Sequence, residues 1–181
     1  MLDKVGDIKL ELRACMNGVA SAAMRSTEDY RVNFGVELPR LQELAKEVNP
    51  ALAPELWKEM VRECRILAVM VQDDREFSED MCDVWAEQIH TAEIAQIASL
   101  YLFKRLPYAI GKSLEWIASE NEMKQICGFT TLMHVYRANG EMCERTIQEI
   151  QDQAQTVMDC GNLFLKKIAQ QWTSISRQKR F

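Results

Sequence analysis

The 181-residue sequence predicts an all-α fold of stacked helix pairs, on three observations. Apolar residues recur at spacings of three and four through nearly the whole chain. Gly and Pro number only 7 and 4, which suits helices on short connections and not a β fold with many turns. The helical segments group into hairpins of roughly 30–40 residues, the period of α-α repeats. Alternating loop positions favour an open superhelix over a closed bundle.

Taken in order, Val5, Ile8, Leu12 and Cys15 stripe a first helix over about Asp3–Asn17, and Gly18 separates it from a short one at Val19–Arg25. These form an N-terminal cap over about residues 1–30. Ser26–Pro39 is polar and irregular. Pro39 suits the first turn of a helix with Leu41, Leu44, Ala45 and Val48 on its face, stopped at Asn49-Pro50. One long helix is expected over Pro54–Val71, burying Trp57, Met60, Val61, Cys64, Ala68 and Val71 and projecting Lys58, Arg62 and Arg65 elsewhere. Ser78 caps a helix to about Ile89, and Thr91 caps Ala92–Leu106. Pro107 ends that helix and opens the next, through Leu114, Trp116 and Ile117.

A helix over Glu122–Ala138 is closed by Asn139-Gly140. Cys143, Ile147, Ile150, Ala154 and Val157 then stripe a helix from about Glu141 that Gly161 breaks. A last helix from Asn162 carries Leu165, Ile168, Ala169 and Trp172 into the basic tail Arg177–Arg180. The repeats therefore run Pro39–Val71, Ser78–Leu106, Pro107–Ala138 and Glu141–Gln178. They make one domain over 1–181, with repeats over about 38–178.

The net charge of −5 weighs against a general nucleic-acid binder, because phosphate neutralisation supplies most of such affinity. It leaves room for a local basic groove. No apolar run has the length of a membrane span, and the N-terminus lacks a signal-peptide core, so a soluble cytoplasmic protein is expected. The six cysteines lie far apart without a CxxC pair, and His90 and His134 are not at zinc-finger spacing. They read as buried free thiols in a reducing compartment, with no metal and no cofactor. The four tryptophans read as core, Trp116 being the best exception because it precedes a helix start. His90 reads as a linker residue, and His134 as a core or groove histidine.

Several phrases resemble a known family. Asn33–Lys46, NFGVELPRLQELAK, is similar to a signature of the HEAT-like DNA alkylation repair proteins, the AlkD-type alkylpurine DNA glycosylases. Leu56-Trp57 followed by Glu63–Ala68 continues it. Trp85…Ile89, Leu102–Pro107 and Trp116 with Ser119-Glu120-Asn121 keep the family order, so the resemblance covers about Tyr30–Tyr136. It implies a crescent of HEAT-like pairs with DNA on the concave face. In active members it further implies excision of alkylated purines, by a carboxylate that stabilises the oxocarbenium sugar, aromatic faces around the lesion and an arginine near the phosphate.

Carried over residue by residue, that chemical set is degenerate. Ala92 takes the place of the helix's first tryptophan, Gln96 that of the catalytic aspartate, and about Ile126, in Met123–Ile126, that of the arginine. Glu93, about a hundred degrees around the helix, is the remaining candidate carboxylate. Its competing role is a first-turn residue favourable to the helix dipole. Lys104, Arg105, Lys112, Lys124, Lys166 and Lys167 are the candidates for DNA phosphates. Three functions stay open: a relative binding duplex or branched DNA without glycosylase activity, a scaffold holding a protein or peptide in its concave groove, and a glycosylase using Glu93.

Overall fold

The computed structural model describes residues 1–139, 142–160 and 163–178. Among them it forms eleven α-helices: α1 Val5–Ala14, α2 Gly18–Thr27, α3 Leu38–Ala45, α4 Ala53–Lys58, α5 Arg62–Val71, α6 Glu79–Glu87, α7 Ala92–Tyr101, α8 Ala109–Ile117, α9 Glu122–Asn139, α10 Glu144–Cys160 and α11 Leu163–Gln178. The stops expected at Gly140 and Gly161, and the Lys179-Arg180 end of the basic tail, lie outside the described residues. None of the described helices is long and apolar enough to cross a membrane.

Local signals act where the sequence places them. Ser78 Oγ accepts the Met81 N–H at 3.2 Å and Thr91 Oγ1 the Ile94 N–H at 3.4 Å, each satisfying an otherwise orphaned donor. Pro39 sits in the first turn of α3, as expected.

The expected long helix over Pro54–Val71 is two helices. Glu59 and Val61 are extended, and Val32 forms a parallel bridge with Val61, taking the Arg62 N–H on its carbonyl at 3.0 Å. No Pro or Gly marks this break. The interruption comes from a segment distant in sequence. Similarly, the helix beginning at Ala92 ends at Tyr101, and Phe103–Arg105 forms a separate 3-10 turn.

The helices stack in two layers. In one, α3, α5, α7, α9 and α11 pack each against the next. In the other, α4 reaches α6 through the stacked rings of Trp57 and Trp85, 4.3 Å apart, and α6 reaches α8 through Asp83, which accepts from Lys112 at 2.7 Å and Trp116 Nε1 at 3.0 Å. Backbones thus approach closely in the first layer and are bridged by side chains in the second. The first is termed the inner layer and the second the outer. Gly128, mid-way along α9, permits the close approach of α8: a Cβ there would lie 2.7 Å from the Ser113 carbonyl oxygen. Alanine would favour the helix by about 1 kcal/mol, but the contact excludes it.

One core runs from Ile8 to Trp172. All four tryptophans are in it, including Trp116, whose N–H is committed to Asp83 on the outer side. Of the cysteines expected to be buried, Cys64, Cys82 and Cys127 are, Cys15 is half-buried, and Cys143 is exposed at the start of α10.

Candidate functional site

The N-terminal ends of α7, α9 and α11 converge, because these inner helices run in the same direction: Ile126 and Phe164 meet at one end and the Tyr136 and Trp172 rings at the other. At the first end is a depression of ≈280 Å³ lined by Thr27, Glu28, His90, Ala92, Met123, Ile126 and Phe164. The tertiary structure therefore brings together Ala92, Met123 and Ile126. Gln96, one turn along α7, is exposed outside this lining, and Ile126 is 1% exposed.

Glu93 faces a different neighbour. Arg62 grips it with two parallel bonds, Nε to Oε2 at 2.7 Å and Nη2 to Oε1 at 2.5 Å, and the Tyr30 hydroxyl donates to Oε2. Burial pushes this carboxyl up, but the bonds from Arg62 and Tyr30 outweigh it and hold Glu93 below the usual carboxylate range. The Arg62 Nη1 also donates to the Val36 carbonyl at 3.0 Å and to Glu63 at 3.1 Å, while Glu63 accepts the N–H groups of Phe34 and Val36. Arg62, expected to project away from the apolar face, has a side chain only 2% exposed. The reason is this pair of carboxylates, which compensates a desolvated guanidinium.

Several of these partners escaped the sequence reading. Glu28 accepts the Ala92 and Glu93 N–H groups at 3.3 Å and caps α7 from outside the helix. Burial outweighs those bonds and raises its carboxyl above its ordinary value. Phe164, 37% exposed, supplies a phenyl face to the depression. No local signal marks Glu28 or Phe164, whereas the adjacent Arg62-Glu63 charges inside an apolar run could have pointed to a buried pair.

The candidate phosphate ligands divide in two. Lys112 lies 2.7 Å from Asp83 and 2.9 Å from Glu115, Lys124 bridges to Glu87 at 3.1 Å, and Arg105 donates to the Gln72 carbonyl at 3.1 Å with Asp74 at 3.8 Å. Lys104, Lys166 and Lys167 have no carboxylate within 4.0 Å among the described residues. Lys167 joins Arg137 in a groove between α9 and α11. His90 is exposed and touches the α7–α9–α11 depression, and His134 is half-buried on α9. No cluster of three metal-ligating side chains occurs among the described residues.

Charge is sorted between the layers. Helices α4, α6, α8 and α10 carry ten carboxylates and three basic residues, with Glu79, Asp80, Asp83 and Glu87 on α6 and Glu144, Glu149, Asp152 and Asp159 on α10. The five inner helices carry four carboxylates and seven basic side chains among those described, and α11 has no Asp or Glu. The overall −5 conceals this division.

An all-helical stack in two layers, its acids concentrated on one set of helices and its bases on the other, is a helical-repeat protein of the HEAT type. The chain belongs to the DNA alkylation repair enzyme family, whose model matches residues 8–173. A solved structure described as "a new family of proteins related to the HEAT-like repeat DNA glycosylases with affinity for branched DNA structures" superposes with a TM-score of 0.83. It is 18% identical, over 92% of this chain and 73% of that one, a likeness that concerns the fold. A comparison with curated proteins finds no match.

Proposed function

We propose that this protein binds duplex or branched DNA on its inner, concave layer and lacks alkylpurine glycosylase activity. The binding half rests on the inner-layer cations Arg137, Lys166 and Lys167, which have no carboxylate within 4.0 Å among the described residues, since basic side chains left unpaired on an acidic protein are the electrostatic footprint of a phosphate-binding face. The affinity reported for the structural relative, toward branched DNA, agrees in kind. The continuous core from Ile8 to Trp172 supports a single solenoid, with the first thirty residues as its cap.

The non-catalytic half rests on the depression at the α7, α9 and α11 N-termini. Stabilising an oxocarbenium ion requires a preorganised negative charge at the reacting sugar. Glu93 is held by Arg62, Gln96 has no charge, and Ile126 makes the arginine position apolar. Glu28, the carboxylate that does line the depression, is engaged by two helix N–H groups.

Binding of labelled four-way junctions and duplexes, measured from about 50 to 200 mM salt, should weaken by orders of magnitude if several phosphates are contacted. No binding at low salt, or salt-independent binding, removes the DNA reading. Methylated DNA incubated with the protein should release no 7-methylguanine. Release that disappears in Glu93→Gln would overturn the non-catalytic reading.

A further inference from the structure

Arg137 near the end of α9 and Lys167 in the first half of α11 are cations with no ion-pair partner among the described residues. Arg137, Lys167, Gln170, Gln171, Ser174 and Ile175 line a groove of ≈370 Å³. Arg137 and Lys167 are exposed, and neither has a carboxylate within 4.0 Å among the described residues. The only carboxylate on α9, Glu122, lies fifteen residues before Arg137, about 22 Å along the helix; α11 has none. Burial first, and then Lys104 and Arg137 nearby, hold the His134 imidazole below its ordinary value.

Like charges held together without counter-charges repel one another, and an arriving anion relieves that repulsion. The remaining lining suits a particular anion. Two glutamine amides beside Arg and Lys form a donor set that contacts phosphate and sugar oxygens, while the Ser174 hydroxyl donates to the Gln170 carbonyl at 3.0 Å. Taking the DNA-binding reading as its basis, we infer that the α9–α11 groove binds the DNA sugar-phosphate backbone without reading base sequence. Arg137 lies about 16 Å along α9 from Ile126, whereas Lys167 is one turn from Phe164 on α11, so the groove runs up to the depression.

Fluorescence anisotropy on wild type, Arg137→Ala/Lys167→Ala and the outer-layer control Lys58→Ala/Arg145→Ala tests this assignment. The groove variant should bind a four-way junction about tenfold more weakly near 0.15 M salt, with a log–log salt slope reduced by roughly 2. The control, with the same change of charge, should match wild type, and permuting the base sequence should change neither. If wild type binds DNA and the groove variant behaves like the control, the groove assignment fails while the DNA reading stands. If wild type does not bind DNA, both fall. Tighter binding of RNA or of polyglutamate, lost in the groove variant, would reassign the groove and overturn the DNA proposal.

Discussion

Two arginines on the inner layer show how one side chain serves opposite ends. Arg62 is buried at the start of α5, and each of its contacts is internal: Glu93, Glu63 and the Val36 carbonyl. Arg137 is exposed near the end of α9 with no carboxylate within 4.0 Å among the described residues. The first joins α5, α7 and the segment around residue 30, and has no charge left for a ligand. The second leaves its charge available. A cation in the right layer is therefore not evidence of a phosphate contact until its partners are counted, and Lys112, held by Asp83 and Glu115, makes the same point.

The largest effect that would sharpen this contrast is on folding. Arg62→Ala leaves Glu63 buried and Glu93 half-buried without their guanidinium, and should cost about 3–5 kcal/mol in urea denaturation. A shift below about 1 kcal/mol would mean that the network does not hold these elements together. A smaller effect is expected in acid. Glu93 and Asp83 both have carboxyls held below their ordinary values, 4.5 and 3.8, against the opposing effect of burial: Glu93 by Arg62 and Tyr30, Asp83 by Lys112 and Trp116. A depressed carboxylate contributes stability above its unfolded value and loses it as pH falls through the folded one. Thermal unfolding should therefore show a falling midpoint below about pH 4.5, and Glu93→Gln should flatten that fall. The smallest effect is at the groove, where Arg137→Ala should leave stability within about 0.5 kcal/mol. A loss above about 1.5 kcal/mol would break the comparison, because Arg137 would then be holding the fold.

Much of the architecture was legible in the chain because its causes are local. Ser78 and Thr91 cap the helices they precede, Pro39 opens α3, and the apolar stripes place all four tryptophans inside. Ala92 and Ile126, far apart in the chain, line one depression. What failed depended on distant partners. The break between α4 and α5 is made by Val32 against Val61, in a stretch whose own periodicity reads as one helix.

The sequence by itself determined most of the helices and their pairing period, because periodicity, capping and residue identity need no neighbour in space. Only the tertiary structure decided which charges are free. Whether Arg62, Lys112, Arg137 or Lys167 can meet a ligand depends on which carboxylates the stacking of helices brings within ion-pair distance. That contact depends on the arrangement of the layers and is not written at any one position of the chain.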